Sequence, residues 1–145
     1  TTEMHKIPVF KPLVNEILVT MNEIWEKEWL DRVPVLGNMW ANINPPGAYN
    51  APHIHPNSLF SGVYYVKAPK NSGRLVCNDP RAGVQLNMPV RKEGQPPKEL
   101  WRDCTLEPKE GRLIIFPFYL WHNVESNLSE DVRISVSFNI IQHGF

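Results

Sequence analysis

The chain has few cysteines, and their number excludes two classes of protein. Only Cys77 and Cys104 occur among its 145 residues, and neither has a partner in a C-x-x-C pair. Two cysteines are too few for a disulfide framework, and without such a pair no cysteine-based zinc or redox motif is present. Two reduced thiols are typical of a cytoplasmic protein, so we predict a cytoplasmic location.

The sequence also lacks an excess of charge of either sign. Fifteen basic residues balance fifteen acidic ones, which gives a formal net charge of zero. A binding surface for nucleic acid or for an anionic membrane normally needs clustered positive charge, so neither partner is predicted. No apolar run approaches the length of a membrane span.

The spacing of the apolar residues predicts one helix followed by a body of strands. Apolar residues recur at intervals of three and four between Leu13 and Trp29, which indicates an amphipathic helix over about 11–30. After Pro34 the helical period disappears, and short runs typical of strands alternate with Gly, Pro and Asn. These runs are 38–44, 52–55, 60–66, 74–78, 112–116 and 132–140.

We therefore predict one mainly β domain over 1–145, with the helix packed on one sheet and the β core over about 36–141. A proline-rich stretch between about residues 79 and 98 predicts a long loop. Loops of that length in a small domain are usually functional or mobile.

Three histidines form the clearest candidate for a chemical site. His53 and His55 are separated by one residue, and residues at i and i+2 of a strand project from the same face. His122, far downstream, can supply a third imidazole. Three imidazoles suit iron, zinc, copper or nickel and leave coordination positions open for substrate, oxygen or water. No catalytic residue beyond these metal ligands is predicted.

The last predicted strand has one apolar and one polar face. Val132, Ile134, Val136, Phe138 and Ile140 alternate with Arg133, Ser135, Ser137 and Asn139. If the apolar face packs under the helix, the polar face can line a cavity that also holds His122. Arg133 could then bind a carboxylate with both arms of its guanidinium, with the Ser135 hydroxyl as a further donor.

A set of motifs spread over about residues 38–140 resembles one enzyme family. The sequence is similar to the 2-oxoglutarate and iron(II)-dependent oxygenases, in particular to a poorly characterised group common in marine microbes and their phages. The resemblance implies a double-stranded β-helix, a cupin-like jelly-roll of two facing sheets. The motifs are WANINPPG at 40–47, HIHPNS at 53–58, SGVYYV at 61–66, DPR at 79–81, GRLIIFP at 111–117 with His122, and RISVSFN at 133–139.

The same resemblance implies roles for individual residues. His53 and His122 match the two iron histidines, and His55 stands where the wider superfamily usually has Asp or Glu. Arg133 and Ser135 match the R-x-S that binds 2-oxoglutarate, and Asn42 and Asn44 fall where related oxygenases contact it. The implied cofactors are Fe(II) and 2-oxoglutarate. The implied reaction couples oxidative decarboxylation of 2-oxoglutarate to hydroxylation of an unknown small-molecule or peptide substrate.

Two other functions fit the same residues. A cupin-type metal enzyme without 2-oxoglutarate would share the fold and the histidines, although the Glu that cupins place after the H-x-H is missing. A jelly-roll with a binding or structural role would need no active site. The oligomeric state stays open, a homodimer included, and the cytoplasm could be that of a phage-infected host cell. Candidates for the lining of the substrate pocket are Tyr49, Tyr64, Tyr65, Trp101, Tyr119 and Trp121.

Overall fold

One α-helix precedes a body of eight β-strands. The computed structural model describes residues 1–81, 90, 92–94, 97 and 103–144. After two short 3-10 turns, Met4–Lys6 and Pro8–Phe10, helix α1 spans Lys11–Lys27. The strands are β1 (Pro34–Asn44), β2 (Asn50–His53), β3 (Phe60–Lys67), β4 (Leu75–Asn78), β5 (Asp103–Leu106), β6 (Leu113–Pro117), β7 (His122–Val124) and β8 (Arg133–Gln142).

The strands form two antiparallel sheets of four strands each. The larger sheet has the order β1-β8-β3-β6, and the smaller sheet has the order β2-β7-β4-β5. Because the chain crosses repeatedly from one sheet to the other between β1 and β8, the architecture is the predicted double-stranded β-helix. No helix among the described residues is long and apolar enough to cross a membrane.

Helix α1 covers the outer face of the larger sheet. Its apolar stripe, formed by Ile17, Met21 and Trp25, is buried, as the periodicity of three and four predicts. The sheet meets this stripe with one face only, because side chains alternate along each strand. The buried partners on the strands are Met39, Val136, Phe138 and Ile140.

The inner faces of the two sheets meet in a second, smaller core. Leu75 and Cys77 of β4 pack against Phe116 of β6, with partly buried apolar residues around them. Cys77 and Cys104 are opposite each other on β4 and β5, and both are free thiols. The polar residues of β8 face the same interior, so the space between the sheets is apolar at one side and polar at the other.

Close packing around β3 explains why the SGVYYV motif has a glycine, Gly62, at its second position. A Cβ atom at this position would lie 2.3 Å from Cζ of Phe138 and 2.7 Å from the carbonyl oxygen of Ile114. Both neighbours are held in the core, so the strand can pack this closely only with glycine.

Helix α1 ends slightly earlier than predicted, at Lys27. Trp29 has a left-handed backbone with φ of 56°, and the amide of Leu30 donates to the carbonyl of Trp25, which closes the helix. The indole Nε1 of Trp25 then donates to the carbonyl of Arg32 at 2.6 Å. This bond fixes the chain as it turns toward β1.

The observed strands differ from the predicted ones in the end of β2 and in two short additional strands. β2 ends at His53, so His55 lies in the following segment and not on the strand. β5 and β7 were not predicted from the sequence, and β7 contains only three residues. Most of the loop predicted over 79–98 lies outside the described residues.

Candidate functional site

Three histidine side chains meet at the open edge between the two sheets. His122 is the first residue of β7, and His53 is its direct partner at the end of β2. His55 reaches the same point from the next segment, whose backbone is tied to the β6–β7 connection because the amide of His55 donates to the carbonyl of Phe118. One ligand atom of each ring lies within 4.8 Å of the others.

Two of the rings are held in a tautomer that suits metal binding. The Nδ1 atoms of His53 and His122 lie 2.7 and 2.8 Å from the carbonyl oxygens of Ala51 and Leu120. A carbonyl only accepts hydrogen bonds, so both Nδ1 atoms carry the proton. In the neutral rings the lone pairs are therefore on Nε2, and such carbonyl partners fix ligand histidines in metal sites.

The distance between two rings also fits a metal. Nε2 of His55 and Nε2 of His122 are 3.2 Å apart. With metal–nitrogen bonds of about 2.1 Å meeting at a right angle, two neighbouring nitrogens are about 3.0 Å apart. A small inward movement of either ring would thus let both nitrogens bind one ion.

Burial keeps these imidazoles neutral. Desolvation, and then the nearby His122 and His53 rings, lower the pKa of His55 to about 4. Desolvation also lowers the pKa of His122, opposed by its hydrogen bond to the Leu120 carbonyl and supported by the nearby His53. Since only a neutral imidazole binds a metal, His55 and His122 are ready for a cation at neutral pH.

The cluster contains no acidic residue in the part of the chain that the structure describes. Three neutral ligands would leave a divalent ion with its full double positive charge. A site with Asp or Glu as third ligand would carry one positive charge less. The centre is therefore suited to an anionic ligand.

A cavity between the sheets extends inward from the histidines. The histidines and Leu75 line it from the smaller sheet and the following segment, while the larger sheet contributes the polar face of β8. This arrangement brings together His53, His55, His122, Arg133 and Ser135, as the sequence pattern predicts. Other lining residues include Trp40, Asn42, Val63, Tyr65, Phe116 and Ser137.

Arg133 lies at the inner end of this polar face as a buried positive charge. Its side chain is 1 % exposed, and its Nη1 donates to the backbone carbonyls of Ser72 and Gly73. No carboxylate pairs with it among the described residues. Burial lowers the pKa of the guanidinium, opposed by Tyr65, but an arginine stays protonated in proteins.

Among the six aromatic residues predicted to line the substrate pocket, Tyr65 is the only described one that lines this cavity. It is 2 % exposed, lines the cavity and pairs with Ser135 across β3 and β8. Burial raises the pKa of its hydroxyl, with Arg133 acting in the opposite direction. The alternation along β3 could have separated Tyr65 from Tyr64, which packs toward α1.

The two asparagines predicted to contact the cosubstrate have different positions. Asn42 lines the cavity, where its Nδ2 donates to the Ser137 hydroxyl at 2.8 Å and its Oδ1 accepts from Trp40 at 3.2 Å. Asn44 is the register partner of Arg133 but does not line the cavity. Its Oδ1 is buried and has no hydrogen-bond partner among the described residues.

A buried chain of hydroxyl groups supports the segment that holds His55. The Ser58 hydroxyl donates to the carbonyl of His55 at 2.8 Å and lies 3.4 Å from the Ser61 hydroxyl. Ser61 in turn donates to Oδ1 of Asn139 at 2.7 Å on β8. The serines of the HIHPNS and SGVYYV motifs thus tie the His55 segment to the larger sheet.

Most of the candidate aromatic residues lie away from the cavity. Tyr49, Tyr119 and Trp121 are exposed, and none of them lines the cavity. Trp101 lies outside the described residues. The aromatic side chains that do line it are Trp40, Tyr65 and Phe116.

The sequence of the chain matches a known protein family. The profile of a family described as "Putative 2OG-Fe(II) oxygenase" matches residues 38–139, which is more than half of the chain. The match includes all the residues of the histidine cluster and of the polar face of β8. No curated protein sequence matches the chain.

Solved structures share the fold. A 2OG-Fe(II) oxygenase family oxidoreductase from Burkholderia pseudomallei has 16% identity and a TM-score of 0.56, over 77% of this chain and 47% of its own. A Pseudomonas putida prolyl-4-hydroxylase has 18% identity and a TM-score of 0.57, over 87% and 65%. A Trichoplax adhaerens prolyl hydroxylase, solved with a hypoxia inducible factor peptide fragment, has 14% identity and a TM-score of 0.54, over 74% and 44%.

These likenesses confirm the double-stranded β-helix. The chain spans about half to two thirds of the length of these solved structures.

Proposed function

Because the chain belongs to the 2OG-Fe(II) oxygenase family, we propose that it couples oxidative decarboxylation of 2-oxoglutarate to hydroxylation of a substrate. His53, His55 and His122 would hold Fe(II). Arg133 and Ser135 would bind the carboxylate of 2-oxoglutarate that lies far from the metal. Asn42 stays a candidate for a further polar contact, and Asn44 a weaker one because it does not line the cavity.

The buried guanidinium of Arg133 is the observation that carries this proposal. A buried charge without an opposite charge is costly, so such a group is normally retained for an ion that pairs with it. Arg133 has only neutral carbonyl partners among the described residues and lines the same cavity as the histidines. A carboxylate in the cavity would supply the missing charge.

The charge of 2-oxoglutarate is opposite in sign to that of the cavity. A divalent ion on three neutral imidazoles and the nearby guanidinium together carry three positive charges. 2-Oxoglutarate is a dianion with a carboxylate at each end, so one end can offset one of the two positive charges at the metal centre and the other can pair with Arg133. A cupin without 2-oxoglutarate would have no use for Arg133 in the cavity, and for this reason the oxygenase is preferred.

The residues of the chain would bind and orient the two cofactors. Bound iron with 2-oxoglutarate and oxygen supplies the oxidising chemistry. The Ala51 and Leu120 carbonyls orient two of the ligand imidazoles. Near the guanidinium, the Tyr65 hydroxyl can add a hydrogen bond to the distal carboxylate, while Val63 and Leu75 keep water from the inner part of the cavity.

The substrate, the setting and the assembly are proposed only in outline. A peptide or a small molecule is the class of substrate that we propose, because prolyl hydroxylases are among the structures of similar fold. We further propose that the chain is a single oxygenase domain that works in the cytoplasm. The proposal leaves the oligomeric state open, a homodimer included. The free thiols fit that location. A phage-infected host cell stays a proposal that rests on the sequence resemblance alone.

Replacement of Arg133 by Met tests the assignment of 2-oxoglutarate. A charge-assisted hydrogen bond contributes about 1.5 to 3 kcal/mol, so Arg133→Met should weaken 2-oxoglutarate binding about ten- to a hundredfold. Met keeps much of the apolar packing of the arginine stem. The measurement is anaerobic calorimetric titration of 2-oxoglutarate into Fe(II)-loaded protein, with metal content determined in parallel.

Arg32→Met is the matched control, because Arg32 is exposed and does not line the cavity. This variant should bind 2-oxoglutarate like the parent protein. Equal affinities of parent and Arg133→Met, or no binding to the parent, would contradict the proposed function.

A further inference from the structure

The contacts of Arg133 divide its guanidinium into two parts. Nη1 donates to the carbonyl of Ser72 at 2.5 Å and to the carbonyl of Gly73 at 3.2 Å. Nη1 has two hydrogens, so both are used. The hydrogens of Nε and Nη2 have no partner among the described residues. The Nε hydrogen and one Nη2 hydrogen lie on the same edge of the planar group and form a second fork.

The two carbonyls belong to a connection that is firmly anchored. In the β3–β4 connection, the side chain of Arg74 donates from Nε and Nη2 to the carboxylate of Glu125 at 2.8 and 2.7 Å. The backbones of these two residues are also joined, since the amide of Glu125 donates to the carbonyl of Arg74 at 3.0 Å. On the other side of Ser72 and Gly73, the amide of Leu128 donates to the carbonyl of Asn71 at 2.9 Å.

Gly73 lets this connection approach both Arg133 and the backbone beyond β7. Its φ is +92°, a conformation that residues with a side chain rarely adopt. A Cβ atom here would lie 2.1 Å from the carbonyl oxygen of Glu125 and 2.9 Å from Nη1 of Arg133. Any side chain would therefore displace the Gly73 backbone from its place beside Glu125 and Arg133.

We propose that Ser72 and Gly73 form a carbonyl clamp that positions Arg133 for 2-oxoglutarate. By taking Nη1, the clamp closes the Nη1–Nη2 end of the guanidinium to ligands. The distal carboxylate then binds along the edge formed by Nε and Nη2. Ser72 and Gly73 are positioning residues, since they act through Arg133. This inference rests on the proposed function, because it names the cosubstrate as the ligand of the free fork.

The clamp also gives a reason for the unusual environment of Arg133. A carboxylate in place of the carbonyls would neutralise the guanidinium and weaken its attraction for a ligand. Neutral carbonyls accept the hydrogen bonds of Nη1 and fix the orientation of the guanidinium while its positive charge stays available. Fixing the fork in advance lowers the entropy that is lost when 2-oxoglutarate binds.

Gly73→Ala tests the clamp, with Gly47→Ala as the matched control. Gly47 has a similar φ of +82°, but a Cβ atom there meets nothing within 4 Å. Both variants therefore carry the same kind of backbone strain, and only Gly73→Ala also places a Cβ atom against Arg133 and the Glu125 backbone. We expect the Kd for 2-oxoglutarate of Fe(II)-loaded protein to rise about tenfold or more in Gly73→Ala and by less than twofold in Gly47→Ala. Metal content should equal that of the parent in both.

A second measurement follows Arg133 without the cosubstrate. In 15N NMR spectra of the protein without 2-oxoglutarate, a clamped guanidinium gives separate Nη1 and Nη2 resonances because rotation about the Nε–Cζ bond is slow. Release of the clamp should merge these resonances in Gly73→Ala and leave them separate in Gly47→Ala. If Gly73→Ala does not fold, Glu125→Gln replaces it, since this change weakens the anchor at Arg74.

The two measurements separate failure of the clamp from failure of the proposed function. Loss of affinity together with merged resonances supports the clamp. Unchanged affinity in the variant, or lost affinity with resonances still separate, overturns it. If the parent does not bind 2-oxoglutarate at all, the proposed function is overturned, and the resonances alone decide whether Arg133 is clamped.

Discussion

At the scale of single residues, the site is defined by groups that each keep one protonation state at neutral pH. His55 and His122 are neutral imidazoles because desolvation lowers the pKa of each. Arg133 stays charged although burial lowers its pKa, because an arginine guanidinium stays protonated in proteins. The same burial that prepares the imidazoles for a metal has a cost for the metal-free protein, since folding opposes their protonation.

His55 should make the stability of the metal-free protein depend on pH. Its pKa is about 4 in the folded protein, against an ordinary value of 6.5. As the pH falls from about 6.5 toward 4, the unfolded chain takes up a proton that the folded protein refuses, so stability decreases over this window. In His55→Gln this contribution is absent. The melting temperature of metal-free His55→Gln should therefore decrease less between pH 7 and pH 5 than that of the parent.

His143→Gln serves as the control for this comparison, because His143 is exposed and far in sequence from the metal-binding candidates. Its melting temperature should follow the parent curve. Parallel pH profiles for the parent and His55→Gln would show that burial does not keep His55 neutral.

At the scale of the elements, α1 contributes to the site although none of its residues lines the cavity. It buries the outer face of the larger sheet, and β8 presents Val136 and Phe138 to it. Because side chains alternate along a strand, this packing also fixes Arg133 and Ser135 on the inner face. The stability of the helix–sheet contact and the geometry of the cavity are thus linked through one strand.

Ile17→Ala measures the stability that this contact provides. Ile17 is 0% exposed between α1 and the sheet, and removing a buried side chain of this size usually costs about 2–5 kcal/mol. Val19 lies on the same helix but is 58% exposed, so Val19→Ala should change the free energy of unfolding by less than about 1 kcal/mol. Urea denaturation of both variants gives the comparison. Similar losses in both would contradict the assigned packing of α1.

The sequence predicted the parts of the fold that local patterns determine. The period of α1 and the alternation of β8 are properties of consecutive residues, so both elements and their buried faces were predicted correctly. β7 contains three residues and exists because it pairs with β2 on one side and β4 on the other. No local pattern could indicate so short a strand.

The sequence predicted which residues form the site, but it did not predict all of the site's geometry. The three histidines meet as predicted, yet His55 lies beyond the end of β2, with Pro56 next and Asn57 in a left-handed conformation with φ of 67°. The strand spacing of i and i+2 therefore predicted the correct histidine cluster, although His55 does not lie on a strand. The clamp on Arg133 depends on a contact across about 60 residues of sequence, which no spacing rule describes.

At the scale of the whole molecule, the two sheets contribute different halves of the site. His53 and His122 belong to the smaller sheet, whereas Arg133 and Ser135 belong to the larger one. A ligand with one end on the metal and the other on Arg133 would join the sheets across the cavity. Binding of 2-oxoglutarate should therefore stabilise the folded protein only when both halves are intact.

Thermal unfolding should reveal this dependence. At a 2-oxoglutarate concentration one hundred times its Kd, binding stabilises the folded state by about 2.7 kcal/mol, which raises the melting temperature of a domain of this size by roughly 5–11 °C. We expect this shift for the Fe(II)-loaded parent under anaerobic conditions. In His122→Ala, measured against its own baseline, most of the shift should disappear because the metal end of the site is lost, while His143→Ala should keep it. A shift in His122→Ala as large as that of the parent would mean that 2-oxoglutarate binds without the metal, and the bridging arrangement would then be wrong.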